Sequence, residues 1–223
     1  MTGSVHLHGY RYSVYTRIVR LVLLLKEVEH RTIEVDPFGE LPEDYLRLNP
    51  FGRVPTLVHG KLVLFETSAI TRYIDRAFEG CALQPAGAAA LARMDQVIAV
   101  LDSYGYWPMV RQVASHGWFR PLLGEPCSRE EVEKGLAASQ AVLSFLEGVA
   151  GEGEVLTGRD ISLADCHLAP MIDYFMRAEE GKAALASRPT LQRWWDQLSG
   201  LEALNATDPF GSHDPAGEAS RSR

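Results

Sequence analysis

Residues 53–70 read "RVPTLVHGKLVLFETSAI" and bring together an arginine, an X-proline bond, a carboxylate and two hydroxyls. Glu66 directly precedes Thr67 and Ser68, which open a pattern of helical apolar spacing. A hydroxyl there caps the helix, and an acid there favours its positive end. The same group can also hold a ligand: the helix N-terminus and the Thr67 hydroxyl suit a carboxylate, and Glu66 suits an ammonium. An α-amino acid end carries both charges close together. Arg53 suits a second carboxylate. Val54–Pro55 has two readings. A trans bond would simply start a strand. A cis bond, found in about 5–6% of X-Pro cases in folded proteins, would turn the Val54 N–H and C=O outward to pair with an extended peptide, as an added strand does.

Together these groups describe a ligand with a zwitterionic end, a peptide-like middle and a second acid. γ-Glutamyl-cysteinyl-glycine, glutathione, has all three. Its thiol sets the chemistry: a free thiol has a pKa near ~8.5 and is only a few per cent thiolate at neutral pH. A hydroxyl donor at a helix N-terminus would lower that value. Ser13 lies between the first strand and the first helix, where both are available, and it also suits an N-cap.

The elements that must hold these groups alternate. Strands are expected over 5–8, 31–35, 56–58 and 61–64, and helices over 15–26, 42–48 and from 67 onward. Pro42 suits a first helical turn. His59-Gly60 is a two-residue hairpin connection. The order β-α-β-α-β-β-α implies an α/β domain with a mixed sheet over residues 1–79. Residues 80–87 read as a linker. The region 88–206 has helical spacing and no convincing strand: helices are expected over 88–115, 129–149 and 190–198. Ser162 and Asp165 form a capping-box variant at the start of another. Trp194 and Trp195 should pack the last helix. Residues 207–223 are polar and rich in Gly and Pro, and are expected to form a flexible tail.

Bulk properties exclude several functions. The 223 residues carry a net charge of −7 and no basic stripe, which argues against nucleic acid and anionic membrane as partners. The apolar run 21–25 is too short for a signal peptide core, and no stretch is long enough to span a membrane. Cys81, Cys127 and Cys166 form no CxxC and read as reduced cysteines of a cytoplasmic protein. Their spacing and that of the histidines point to no metal site.

The segments "LNPFGRVPTL", "LVLFETSAITRYID" and "HGYRYSVYTRIVRLVLL" resemble the cytosolic glutathione transferase family, and "GRDISLADCHLAP" is similar to that family's N-capping segment. The flavour is that of serine-type bacterial and plant members of phi- and theta-like kind. The resemblance implies a thioredoxin-like N-terminal domain, an all-helical C-terminal domain, a homodimer, and glutathione as co-substrate without metal. It implies that Ser13 is the catalytic hydroxyl, with Tyr10 the main competitor. Glutathione would be held by Arg53, Val54, cis Pro55, Glu66 and Thr67, with threonine standing where serine is usual. Glu40 stands where basic residues often meet the glycyl carboxylate, which it would repel. The electrophilic, apolar second substrate is expected in a pocket between the domains. Tyr104, Tyr106, Trp107, Trp118 and Phe119 could line that pocket, or serve as core or dimer contacts. The implied activity is thiolate attack on an electrophilic carbon. Dehalogenation, isomerisation, peroxide reduction, and a non-catalytic glutathione-binding or scaffold role are alternatives on the same site.

Overall fold

The computed structural model describes residues 3–211. They form two compact units that divide between Gln84 and Pro85.

The first unit runs β1 (Val5–Gly9), α1 (Val14–Leu25), β2 (His30–Glu34), α2 (Glu43–Leu48), β3 (Thr56–His59), β4 (Leu62–Phe65) and α3 (Thr67–Ala77). This is the expected β-α-β-α-β-β-α order. The four strands lie in the order β2-β1-β3-β4. β1 pairs parallel with β2 and antiparallel with β3, and β3 pairs antiparallel with β4. The β3–β4 turn needs a positive φ, which Gly60 supplies at 61°. Val5 and Leu7 of β1 are buried, as are Ile18 and Val22 of α1 and Ile70 and Ile74 of α3, and α1 packs on α3. Each such side chain contributes about 1.5–3 kcal/mol over its exposed state. The charged residue Arg17 also lies inside α1, with 1% of its surface exposed. Pro42 sits at the N-cap of α2 rather than in its first turn, because its extended ψ of 141° is not helical.

Part of the segment expected to be a linker belongs to the first unit. Lys26 Nζ donates to the Cys81 carbonyl at 2.9 Å, and the Leu83 N–H donates to Asp75 at 2.9 Å. Leu83 is buried.

The second unit has no strand among its described residues. It contains α4 (Ala88–Val100), two π-helical stretches (Leu101–Gly105 and Trp107–Phe119), α5 (Arg120–Leu122), α6 (Arg129–Glu152), α7 (Leu163–Met176), α8 (Glu179–Ala186), α9 (Pro189–Leu198) and α10 (Glu202–Ala206). The helix expected over 88–115 therefore widens after Val100 and runs on past Ser115. α6 packs along the second π-helical stretch. Gly135 permits this approach: a Cβ there would stand 2.7 Å from the Pro108 carbonyl oxygen. At the start of α7, the Ser162 N–H and hydroxyl both donate to Asp165 Oδ2, at 2.8 and 2.6 Å. Trp194 Nε1–H donates to Asp165 Oδ1 at 2.7 Å, tying α9 to α7. Burial pushes the Asp165 carboxyl up from its ordinary pKa, against the pull of these donors.

The expected flexible tail does not begin at 207. Thr207 is fully buried. Phe210 lies 4.7 Å from the Trp118 ring and 6.0 Å from Tyr174, measured between centroids. Aromatic packing of the half-buried Phe210 outweighs the polar composition around it. The rest of that segment, from 212 on, lies outside the described residues.

Candidate functional site

The sheet register brings three separated segments to one end of the first unit. His8 pairs with Thr56, and Thr56 pairs with Phe65. The last turn of β1, the start of β3 and the end of β4 are therefore level. The chain leaves β1 into residues 10–13, enters β3 through residues 53–55, and leaves β4 into Glu66 and Thr67. α1 and α3 both begin at this end, so two helix N-termini, with their partial positive charge, share it.

Ser13 is the N-cap of α1, in extended conformation at φ −71° and ψ 123°. Its Oγ accepts the Thr16 N–H at 3.3 Å, and its own N–H donates to the Tyr10 carbonyl at 2.9 Å. The cap uses an oxygen lone pair and leaves the hydroxyl proton to be donated elsewhere. The residue is half-buried. Tyr10, the competitor, packs edge-on against Tyr12 at 5.5 Å and Phe38 at 5.7 Å between ring centroids.

Glu66 is the N-cap of α3 and is exposed. Its φ of 68° lies in the left-handed region, which a residue with a Cβ adopts at a cost of about 1–3 kcal/mol. Such conformations persist where surrounding contacts enforce them, and they cluster at binding sites. Here the Glu66 carbonyl accepts the N–H groups of Ala69 and Ile70, both at 3.0 Å, so α3 starts on the strained residue. Thr67 is buried at 7% exposure.

The Val54–Pro55 peptide is cis. Pro55 is buried, Val54 half-buried, and the Arg53 side chain exposed. Two residues not singled out in the sequence surround this segment: Tyr45 of α2 and Asn49 at its C-cap. Both donate to the Arg53 carbonyl, and both bond Thr56 Oγ1. Their one sequence signal is the Asn49-Pro50 turn pair. Glu40 is exposed, in the loop between β2 and α2.

The aromatic candidates of the second unit divide. Tyr104 and Trp107 are exposed, at 67% and 61%. Trp118 and Phe119 instead join Phe210 in a packed cluster, and the Arg177 guanidinium sits 4.7 Å from the Trp118 centroid. Among the described residues, no group of His, Cys, Asp and Glu could hold a metal ion, and no helix is long and apolar enough to cross a membrane.

Comparison with known proteins fits this arrangement. Residues 7–82 match the family model for the glutathione S-transferase N-terminal domain, and residues 110–202 match that for the C-terminal domain. The chain is 30% identical to glutathione S-transferase 3 of Zea mays over 204 residues, covering 89% of this chain and 91% of the relative. It is 30% identical to glutathione S-transferase F11 of Arabidopsis thaliana over 206 residues, covering 89% and 94%. The solved structure of glutathione S-transferase III in apo form superposes with a TM-score of 0.80 at 28% identity, covering 94% of this chain and 98% of that one. Glutathione transferase F2 from Populus trichocarpa gives a TM-score of 0.79 at 25% identity, over 93% and 98%. With both domain models matched in order, and relatives aligned nearly end to end, the chain belongs to the glutathione S-transferase family.

Proposed function

We propose that this protein is a glutathione transferase that activates the glutathione thiol as a thiolate and directs it at an electrophilic, apolar small molecule. The observation that supports this most directly is the shared end of the sheet, where the chain leaves β1 toward Ser13, enters β3 through Val54 and leaves β4 into Glu66, with two helix N-termini at the same end.

In this reading Glu66 accepts the γ-glutamyl ammonium. The Thr67 hydroxyl and the α3 N-terminus take the adjacent carboxylate. The Val54 backbone before Pro55 pairs with the cysteinyl unit, and Arg53 meets a second carboxylate, since the nearby loop offers the acidic Glu40. The thiol then lies near Ser13, whose hydroxyl donates to sulfur. Lowering the thiol pKa by ~2 units takes about 2.7 kcal/mol of differential stabilisation. A charge-assisted hydrogen bond of ~1.5–3 kcal/mol and a helix N-terminus of ~0.3–1 kcal/mol together cover that. The thiol proton passes to solvent, and the thiolate attacks the electrophilic carbon. As the C–S bond forms, the carbon's bond to its leaving group breaks and that group departs with the electron pair. At an activated double bond, the π pair instead moves to the neighbouring atom and is protonated from solvent.

An ultraviolet titration of bound glutathione tests the assignment. Ser13→Ala should raise the pKa of the bound thiol by about 1–2 units, while affinity for glutathione changes little because the Glu66, Thr67 and Val54 contacts remain. Turnover should fall accordingly. A shift produced by Tyr10→Phe and not by Ser13→Ala would move the role to the tyrosine.

We also infer a two-fold homodimer. Dimers are the assembly the family resemblance implies, and Phe51, 68% exposed and 5.6 Å from Phe65 between ring centroids, offers apolar surface for a partner to cover. A particle of one 24.7 kDa chain at micromolar concentration in analytical ultracentrifugation would reject this.

A further inference from the structure

We propose that Tyr45 and Asn49 are positioning residues for glutathione: through a closed hydrogen-bond circuit they hold the two flanks of Val54–Pro55, so that the Val54 backbone is preset for the cysteinyl unit. This rests on the reading that Val54 pairs with glutathione.

The circuit can be assigned bond by bond. The Arg53 carbonyl can only accept, so the Tyr45 hydroxyl and the Asn49 amide must both donate to it; the Asn49 bond is 2.8 Å. The Tyr45 proton is thereby used. Thr56 Oγ1, 3.0 Å from the Tyr45 hydroxyl oxygen, must then be the donor of that pair. Asn49 Nδ2 spends its second proton on Thr56 Oγ1 at 3.1 Å. The remaining amide oxygen, Asn49 Oδ1, accepts the Phe51 N–H at 3.1 Å. Every proton has one destination, and both lone pairs of the Arg53 carbonyl are engaged.

The circuit is also shielded. Tyr45, Asn49 and Thr56 are exposed by 4%, 2% and 0%. Away from water these bonds are stronger, and a lost partner is costly. Burial raises the Tyr45 pKa, which keeps the donor protonated. The anchored points, Arg53 and Thr56, lie on either side of Val54–Pro55. Neither anchoring side chain is needed to touch the ligand. Holding a binding segment in its bound shape lowers the ordering cost that binding would otherwise carry.

Tyr45→Phe is the decisive variant. It keeps the ring, which packs on His8 at 5.9 Å between centroids, and removes only the hydroxyl. Calorimetry with glutathione should show affinity weakened roughly ten-fold, the loss expected for one well-placed bond. In steady-state assays with chlorodinitrobenzene as electrophile, KM for glutathione should rise by a similar factor. kcat at saturating glutathione and the bound-thiol pKa should stay near wild type, the pattern of lost binding rather than lost chemistry. Thr56→Val should act in the same direction. The combined variant should fall short of the product of the two, since both remove the same bond. Asn49→Ala should weaken affinity further, and if it does not fold, Tyr45→Phe and Thr56→Val carry the test. Unchanged glutathione affinity in folded Tyr45→Phe, with lowered thermal stability, would overturn the proposal by making the circuit purely structural. Absence of glutathione affinity in the wild-type protein would overturn the glutathione reading itself, before any variant is compared.

Discussion

Lys26 Nζ meets Asp75 Oδ1 at 3.2 Å, with 2% and 5% of the two side chains exposed. The ammonium also reaches the carbonyl oxygens of Asp75 and Cys81, at 3.1 and 2.9 Å. Asp75 in turn accepts from the Leu83 N–H and from Gln84 Nε2, each at 2.9 Å. One buried pair thus binds the end of α1, the end of α3 and the segment that follows.

This pair should govern acid stability of the first unit. Burial alone would raise the Asp75 pKa, but the donors from Leu83, Gln84 and Lys26 outweigh it and hold the carboxyl below its ordinary 3.8. A carboxyl depressed in the folded state adds stability above its unfolded pKa, near ~3.9, and loses it as pH falls through the folded value. Denaturant melts should therefore show a loss of stability below about pH 4 that Asp75→Asn largely lacks. At pH 7 the same variant should be less stable by about 3–5 kcal/mol, since it leaves the Lys26 charge buried without its partner. An unchanged acid limb in Asp75→Asn would remove Asp75 from this role.

Glu66 offers a separation of stability from binding. Its φ of 68° is costly for any residue with a Cβ and comfortable for glycine. Glu66→Gly should be more stable than Glu66→Ala by ~1 kcal/mol in thermal or chemical melts. Both variants should bind glutathione more weakly by ~2 kcal/mol or more, because each strands the ligand ammonium. Equal stability of the two would show the backbone strain to be negligible. Wild-type affinity in either would take Glu66 out of the site.

Arg177 should act as the clasp of the second unit's C-terminal segment. It donates to Asp208 at 2.7 Å and to Asp173 at 3.2 Å, and its guanidinium lies 4.7 Å from Trp118 and 4.9 Å from Phe210. Although burial opposes its charge, Asp173 and Asp208 raise its pKa. Arg177→Ala should cost about 2–4 kcal/mol and open residues 207–211 to limited proteolysis. Arg177→Lys should restore less than half of the loss, since an ammonium keeps the ion pairs but not the flat stacking on the rings. Protease resistance equal to wild type in the alanine variant would show that Phe210 and Thr207 hold the segment unaided.

Features that depend on near neighbours in the chain were legible in the sequence. The His59-Gly60 turn follows from one glycine that can take a positive φ, and it brings β3 and β4 together. Ser162 and Asp165 meet because three residues at a helix start bring a side chain back to the cap. The β-α-β-α-β-β-α order follows from hydrophobic period and turn residues, which are local quantities. Glu66, Thr67 and Val54 are legible for the same reason: their chemistry lies within one short run.

The tertiary structure decided what depends on packing between distant segments. The β1–β3 register, which levels the end of β1 with the start of β3, is set by which faces bury Val5, Leu7 and Leu57. The short helices α8 and α10 were not anticipated, since so few residues give almost no periodic signal and owe their stability to packing. Phe210 stands in a polar segment, and its contacts with Trp118, Phe119, Tyr174 and Arg177, all distant in sequence, explain why it is packed. Tyr45 and Asn49 have no motif for anchoring the Arg53 carbonyl: a side-chain bond to a backbone oxygen leaves no mark on the residue that accepts it, because every residue carries the same carbonyl.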